Sequence, residues 1–133
     1  MKPQLLTLAA NNEKGGLLVS LEKLGIPFPI RRVFYILQVQ TGAVRGEHAH
    51  RTLEEVVICL QGSCRIRLDD GDERHEVLLD SPTLGLYLKG MIWEQFYDFS
   101  QDCILLALAN EPYDPTDYIT DYQEFLKERR KTT

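Results

Sequence analysis

Two histidines placed two residues apart carry the clearest sign of chemistry in this sequence. His48 and His50 end the stretch RGEHAH, which begins at Arg45. Residues i and i+2 of an extended strand point to the same face, so we expect both imidazoles to face one cavity. Imidazole titrates near neutral pH and also binds metals, so the pair indicates either proton transfer or a metal site. Arg45 is placed to hold an anionic substrate or to stabilise a developing oxyanion there.

The spacing around these histidines follows a recognisable pattern. Gly42, His48, His50, Glu55 and Gly62 match the first half-motif of the cupin superfamily. The apolar segment between the glutamate and the second glycine predicts a buried strand, and glycine suits the tight turn that follows it. The pattern predicts a strand that carries reactive groups inward, with Glu55 able to orient an imidazole.

The second half of the cupin pattern is incomplete. A metal-binding cupin normally adds a histidine from a later strand, and Trp93 occupies that place here, while Glu94 is expected to point to the opposite face of a regular strand. His48, His50 and Glu55 alone still make a plausible three-ligand set. Because the further histidine is missing, the sequence favours a metal-free acid–base site. We expect His48 to be the base and His50 the second acid–base group, and the swapped assignment stays open.

Length, charge and cysteine content limit the classes to which this protein can belong. The 133 residues suit a single domain spanning 1–133, and a net charge of −5 argues against a nucleic-acid partner. The apolar run near the N-terminus is too short and broken for a signal peptide, and no window is long enough for a membrane span. Cys59, Cys64 and Cys103 lie in apolar segments without CxxC spacing. We therefore expect reduced structural thiols in a cytoplasmic protein.

Short apolar segments separated by turn residues predict an all-β sandwich or barrel. The expected strands are Leu17–Leu21, Ile30–Gln38, Glu55–Leu60, Ser63–Leu68, His75–Leu79, Leu84–Leu88, Ile92–Asp98 and Cys103–Ala109.

The C-terminal segment has the spacing of a helix. One helical stripe is formed by Tyr118, Ile119, Tyr122, Phe125 and Leu126. Asp114 is placed to cap this helix and Pro115 suits its first position. We expect the helix to pack on its own barrel.

The whole chain resembles one family, the sugar-nucleotide 3,4-ketoisomerases, which are WxcM-like cupins that act on dTDP-4-keto-6-deoxyglucose. The resemblance is carried by segments along nearly the full length: IPF at 26–28, RRVFYI at 31–36, RGEHAH at 45–50, VICLQGS at 57–63, LDDG at 68–71, DSP at 80–82, GLY at 85–87, Trp93 with YDFS at 97–100, and YDPTDYI at 113–119.

This resemblance implies a cupin-type double-stranded β-helix, or jelly roll, that needs no metal and no redox cofactor. It implies a homodimer with strands exchanged between subunits, and a sugar pocket lined by Arg45, His48 and His50. The implied reaction, part of deoxysugar biosynthesis, moves the ketone of the dTDP-linked sugar from C4 to C3 through an enediolate, with histidine as the acid–base group.

Further candidates for substrate binding come from the flanking segments. Arg32 is a candidate for a phosphate contact, and Tyr35, Glu55 and Trp93 are further candidates for substrate binding. An aromatic side chain is expected to stack on the nucleobase, and which one does so stays open.

Three other functions remain open: a sugar-nucleotide 3,5-epimerase, a non-catalytic sugar-nucleotide-binding cupin, and a metal-dependent oxygenase. Some relatives have a histidine after the tryptophan where this chain has Glu94, and the early turn reads EKGG at 13–16. These departures leave the configuration of the product at C4 open.

Overall fold

Two five-stranded antiparallel sheets face each other in the computed structural model, which describes residues 2–132. One sheet has the strand order β1-β9-β6-β11-β4, and the other has the order β12-β5-β10-β7-β8. The elements are β1 Gln4–Thr7, β2 Ala10–Glu13, β3 Gly16–Val19, β4 Arg32–Leu37, β5 Arg45–His50, β6 Glu55–Gln61, β7 Cys64–Asp69, β8 Arg74–Leu79, β9 Leu84–Leu88, β10 Trp93–Tyr97, β11 Ile104–Ala109, a 3₁₀ turn Pro115–Asp117, β12 Tyr118–Ile119 and α1 Tyr122–Thr132. This arrangement confirms the predicted all-β jelly roll with a C-terminal helix.

The main core lies between the two sheets, where alternate residues of each strand point inward. Ile66 and Leu68 of β7 meet Val57 and Cys59 of β6 across this layer. The same inward alternation places Glu55 inside the barrel, since it lies two residues before Val57 on β6. The site described below therefore occupies one part of the layer that elsewhere forms the hydrophobic core.

The outer face of each sheet is covered by a separate apolar cluster. Val56 and Ile58 of β6 pack outward against Ile26 and Phe28 of the segment before β4. On the other sheet, an outer cluster is formed under α1 by Ala49, Met91, Trp93, Ile119 and Phe125. Burial on both faces explains why β6 is apolar at almost every position instead of alternating.

The C-terminal segment differs from the sequence prediction. Asp114 does act as a cap and Pro115 does begin a helix, but that helix is the three-residue 3₁₀ turn, in which the Asp114 side chain accepts a hydrogen bond from the amide of Thr116. Tyr118 and Ile119 then extend as β12 and pair with His50 and Ala49. The α-helix begins only at Tyr122, because pairing with β5 competes successfully for the residues before it.

The structure also contains strands that composition did not single out, namely β1, β2 and the two-residue β12. The hairpin β2–β3 pairs only with itself and stands apart from both sheets. No helix within residues 2–132 has the length and apolar character needed to cross a bilayer.

Candidate active site

The two histidines face a cavity of about 260 Å³ between the sheets. Its wall is built from both sheets and from the segment before α1, and the lining residues are Arg32, Phe34, Tyr35, Ile36, Arg45, Gly46, His48, His50, Glu55, Val57, Glu94, Phe96, Leu105, Ala107 and Tyr118. The polar groups thus project into a space otherwise walled by apolar side chains, which favours strong electrostatic interactions.

A β-bulge places Arg45 on the same face as the histidines. The register pairs His48 with Glu94 and Arg45 with Phe96, so β5 carries one extra residue, Glu47, between these pairs. Without the bulge, the odd spacing from Arg45 to His48 would send the two side chains to opposite faces.

Gly46 makes this bulge possible. Its φ is +83°, and a Cβ atom there would lie 2.9 Å from the ring of Phe96. Both the left-handed backbone and the close approach to β10 exclude a larger residue.

His48 is hydrogen bonded at both ring nitrogens. Nδ1 lies 3.0 Å from the carbonyl oxygen of Gly46, and Nε2 lies 3.0 Å from Oε1 of Glu94. Both partners are acceptors, and only the doubly protonated ring can donate to both. Burial would lower the pKa of His48, but the hydrogen bond to Glu94 and its negative charge outweigh burial and raise that pKa above its ordinary value of 6.5.

Two buried glutamates share the cavity and differ in charge. Burial, and then the charge of Glu94, raises the pKa of Glu55 well above its usual 4.5. Burial would also raise the pKa of Glu94, but its contacts with His48 and His50 lower it to about 2. At pH values between the lowered pKa of Glu94 and the raised pKa of Glu55, the pair carries one negative charge. That charge lies on Glu94, and Glu55 stays protonated.

His50 is the more buried imidazole, with 5% of its surface exposed. Its Nε2 lies 3.7 Å from Glu94 Oε1 and 4.0 Å from Glu55 Oε1, beyond hydrogen-bonding distance from either. Its Nδ1 lies 3.4 Å from Asp117 Oδ2 but makes no hydrogen bond among the described residues. In contrast to His48, His50 therefore keeps a ring nitrogen free to accept a proton.

Tyr118 covers the two imidazoles. Its ring centroid lies 5.0 Å from that of His48 and 4.5 Å from that of His50, in edge-on geometry. Its hydroxyl accepts a hydrogen bond of 3.3 Å from Arg32, whose guanidinium also lies 4.4 Å above the ring of Phe34. Arg32 is thus held at the cavity wall with its charge close to Glu55.

Most of the site residues expected from the sequence meet here. Arg32, Arg45, His48, His50 and Glu55 all line the cavity, and Tyr35 lies at its exposed rim.

Trp93 does not line this cavity. It packs on the outer face of the sheet against Tyr122 and Phe125 of α1, and its neighbour Glu94 takes the inward position instead. The sequence predicted that Trp93 occupies the position of a cupin metal ligand. The strand register corrects this prediction, because Glu94 is the residue opposite His48.

Three residues of the site are not predicted from the sequence, namely Glu94, Asp117 and Tyr118. Neighbouring residues of a strand point to opposite faces. Assigning Trp93 to the outer cluster would therefore have predicted that Glu94 points inward. Asp117 and Tyr118 belong to the segment YDPTDYI, which carries part of the family resemblance, and the sequence pattern assigns Tyr118 to the C-terminal helical stripe.

The donor atoms of His48, His50 and Glu94 lie within 4.8 Å of one another. Two imidazoles and a carboxylate are also a donor set that divalent transition metals accept. By donor chemistry, the same residues are thus able to support either proton transfer or a metal ion.

Comparison with known proteins agrees with this site. The model of the family described as FdtA (WxcM-like, C-terminal) matches residues 1–130. A TDP-4-oxo-6-deoxy-alpha-D-glucose-3,4-oxoisomerase from Aneurinibacillus thermoaerophilus is 47% identical over 116 residues, which cover 87% of this chain and 84% of that protein.

Two solved structures are similar over nearly the full length. The TDP-fucose-3,4-ketoisomerase WlaRA from Campylobacter jejuni shares 41% identity with a TM-score of 0.93, covering 97% of this chain and 96% of the other. A histidine-to-asparagine variant of the 3,4-ketoisomerase QdtA from Thermoanaerobacterium thermosaccharolyticum, in complex with TDP-4-keto-6-deoxyglucose, also shares 41% identity with a TM-score of 0.93, covering 97% and 94%. The chain therefore belongs to the FdtA family (WxcM-like, C-terminal), a family of 3,4-ketoisomerase enzymes.

Proposed function

We propose that this enzyme converts dTDP-4-keto-6-deoxyglucose into a dTDP-3-keto-6-deoxyhexose by acid–base catalysis. The observation that carries the proposal is the convergence of His48 and His50 on one cavity, with one ring fully hydrogen bonded and the other not. In a 4-keto sugar the C3 proton is acidified by the adjacent carbonyl, so a positioned imidazole is able to remove it. The names of the relatives described above, which specify a TDP-linked 4-keto sugar, support the choice of substrate.

We assign the base to His50, the reverse of the preference drawn from sequence. His48 donates from both nitrogens and has no lone pair to offer in this arrangement. His50 lines the same cavity, and its Nε2 lies beyond hydrogen-bonding distance of both Glu94 and Glu55. This assignment is supported by the hydrogen-bonding pattern, whereas the preference drawn from sequence used the distance along the chain from Arg45.

His48 serves as the acid. As an imidazolium paired with the carboxylate of Glu94, it is able to donate a proton to the substrate O4 while negative charge develops there. Arg45 contributes a second positive charge at the cavity wall, with no ion pair to the described residues.

The proton transfers balance within the two histidines. His50 takes the proton from C3, and the electron pair of that bond forms the C3–C4 double bond of an enediolate whose O4 is protonated by His48. His48 then recovers a proton from the hydroxyl at C3, and His50 returns its proton to C4. The ketone now lies at C3, with no net gain or loss of protons or electrons.

The nucleotide portion is too large for the cavity and must extend beyond it. A neighbouring depression of about 510 Å³ shares Tyr35, Ile36 and Arg45 with the cavity wall, and no acidic side chain of the described residues lines it. The depression on the other side, beyond Tyr118, is lined by three carboxylates at Glu111, Asp114 and Asp117. We therefore place the diphosphate near Arg45 and the base against Tyr35, with Arg32 left to face the sugar.

The active form is proposed to be a homodimer. Strand β4 is an edge of its sheet, and its outward residues Val33 and Leu37 are 57% and 42% exposed. The self-paired hairpin β2–β3 carries Leu17 and Leu18, each more than half exposed. An unpaired apolar edge and a projecting apolar hairpin are complementary features that pairing with a second copy would cover. Light scattering at micromolar concentration should give twice the chain mass.

We place the enzyme in the cytoplasm. All three cysteines are free, although the sulfur atoms of Cys59 and Cys103 lie only 3.7 Å apart. Neighbouring thiols that stay reduced suit a reducing compartment.

A metal-dependent reaction is the second candidate, because His48, His50 and Glu94 present a suitable donor set. An ion there would be held by these three side chains and would polarise a carbonyl oxygen as a Lewis acid. Dialysis against a chelator separates the candidates. We expect full activity to remain, whereas loss that one specific ion restores would favour the metal.

The test of the proposed function is incubation with dTDP-4-keto-6-deoxyglucose in deuterated water, followed by NMR. We expect the ketone carbon to move from C4 to C3, with deuterium at C4 to the extent that the proton on His50 exchanges. A ketone that stays at C4 with deuterium at C3 and C5 would indicate a 3,5-epimerase. Binding without any change in the sugar would indicate a non-catalytic binding protein.

A further inference from the structure

Three cysteines from different parts of the chain meet in the core between the two sheets. Cys59 lies on β6, Cys64 begins β7, and Cys103 directly precedes β11. Their sulfur atoms lie within 4.8 Å of one another, and those of Cys59 and Cys103 are 3.7 Å apart. All three are free thiols, and none is more than 3% exposed. The reaction proposed above uses none of them.

The spacing of these sulfur atoms is close to that of a three-thiol ligand set. Thiolates bind an ion such as zinc at about 2.3 Å, which places the sulfur atoms about 3.5 to 4 Å from one another. Cys59 and Cys103 already have this separation, and less than about 1 Å of further approach brings the whole set to it. No histidine, carboxylate or further cysteine of residues 2–132 joins the group.

Charge decides which kind of centre suits this position. Burial, followed by the thiol of Cys103, raises the pKa of Cys59 to about 12, and burial raises the pKa of Cys64 as well, so both thiols are uncharged at neutral pH. Three thiolates around a monovalent or divalent metal ion would leave a net negative charge, which is costly in a core. Three thiolates around a trivalent centre are neutral. The burial that suppresses thiolate formation therefore favours an uncharged trivalent complex.

We propose that Cys59, Cys64 and Cys103 form a binding site for trivalent arsenic, which is taken up as arsenous acid. Three As–O bonds break and three As–S bonds form, and each thiol proton leaves with one hydroxyl group as water. Arsenic stays trivalent and the sulfur atoms are not oxidised, so the step needs no oxidant or reductant. Because β6 and β11 belong to one sheet and β7 to the other, the bound arsenic links both sheets.

Two surface turns adjoin the cluster and provide a route to it. The side chain of Gln61 donates to the carbonyl of Asp102 at 2.9 Å, and the amide of Ser63 donates to the hydroxyl of Ser100 at 2.9 Å. The amide of Ser100 donates back to the carbonyl of Ser63 at 2.8 Å. Turns open locally at a lower free-energy cost than core strands do. Arsenous acid is small and uncharged at neutral pH, so opening of these turns is sufficient to admit it.

The first test titrates the reduced full-length protein with sodium arsenite and needs no turnover. Native mass spectrometry should show one arsenic per chain, and X-ray absorption should show three sulfur neighbours and no oxygen. Two sulfur neighbours with one oxygen would contradict a three-thiol site. Absence of uptake would overturn the proposal.

The second test separates the folded site from the thiols of the unfolded chain. A ligand that binds the folded form more tightly raises Tm. We expect arsenite to raise the Tm of the wild-type protein. In Cys64→Ala this rise should disappear, and the apparent affinity for arsenite should fall by about 10²-fold or more, because one of three linked ligands is lost. A wild-type Tm that falls with arsenite would show that the unfolded chain binds it better, and would contradict the proposal.

Two further variants control for damage to the core. Val77→Ala truncates a buried side chain of the same core cluster and keeps all three thiols, so it should retain arsenic uptake and the rise in Tm. Cys59→Ser removes a thiol but keeps a hydroxyl that is able to donate to the carbonyl of Gln61, as the thiol does. Circular dichroism checks that each variant is folded. Uptake that is unchanged in folded Cys59→Ser, or lost in folded Val77→Ala, would refute the assignment of the three thiols.

Discussion

Strand β6 contributes to two buried clusters that differ sharply in what they are able to do. Glu55 faces the cavity with the two histidines, and Cys59, four residues and about 13 Å further along the same inward face, belongs to a cluster with Cys64 and Cys103. Both clusters are made of titratable groups that lie close together, and both are buried.

The difference lies in charge compensation and access. In the cavity, Glu94 accepts a hydrogen bond from the protonated ring of His48 and lies close to His50, and these contacts lower the pKa of this carboxyl to about 2 despite its burial. In the thiol cluster, the three sulfur atoms lie within 4.8 Å of one another, and burial followed by the thiol of Cys103 raises the pKa of Cys59 to about 12. Burial thus creates reactivity where unlike groups face a cavity, and suppresses it where like groups pack in a core.

The largest effect is expected from removing the base. His50→Asn should lower turnover by about 10²- to 10⁴-fold, because the C3 proton then has no positioned acceptor. The reaction is followed by NMR of the 3-keto product. The matched control is His75→Asn, since His75 lies on β8 and pairs only with Glu73 among the described residues. Retained turnover in His50→Asn, with loss in His48→Asn, would restore the assignment preferred from sequence.

The next effect concerns the ionised glutamate. Glu94→Gln should lower kcat on the order of 10- to 100-fold, because His48 loses the carboxylate that holds it as an imidazolium. Glu55→Gln is the control, since an amide resembles the protonated acid that Glu55 already is in the fold. Steady-state kinetics of the two variants should therefore diverge. Equal losses would mean that the two carboxylates do not differ in charge.

The protonated glutamate predicts a pH-dependent stability. The raised pKa of Glu55 means that the folded protein keeps a proton that the unfolded chain releases above about pH 4.5, so wild-type stability falls with rising pH through this group. Glu55→Gln lacks this contribution. Relative to wild type, its free energy of unfolding should gain about 1.4 kcal/mol for each pH unit over which only the folded form is protonated.

Denaturant unfolding at pH 4.5, 5.5 and 7 measures this gain. Glu124→Gln on the exposed face of α1 is the control, and it should show no such trend. A constant difference between Glu55→Gln and wild type across pH would show that Glu55 is ionised in the fold.

The smallest effect on activity belongs to the thiol cluster. Cys59→Ala should keep kcat within the error of the assay and should lower stability by about 1 to 2 kcal/mol through lost packing. The native thiols should not react with Ellman's reagent at pH 8, because burial raises the pKa of Cys59 to about 12 and that of Cys64 higher still. Unfolding in guanidinium should release all three. Rapid reaction with the reagent in the native state would show that these thiols are reactive despite their burial, as the groups of the cavity are.

The sequence by itself determined the class of fold and the central residues of the site. Period-two alternation and turn residues mark the strands whichever partners they pair with, and the HxH spacing forces His48 and His50 onto one face. These features are local, so no knowledge of the tertiary structure is needed to read them.

Only the tertiary structure decided which neighbours those histidines have. The bulge at Gly46 and Glu47 reverses the side on which Arg45 would otherwise lie, and the register of β10 against β5 brings Glu94 inward and sends Trp93 outward. Asp117 reaches His50 from 67 residues away along the chain, through a 3₁₀ turn and a strand pairing that helical periodicity had masked. Register and long-range pairing depend on which partner strand is available, and that is settled when the sheets assemble, because a shift of one residue exchanges the two faces of a strand.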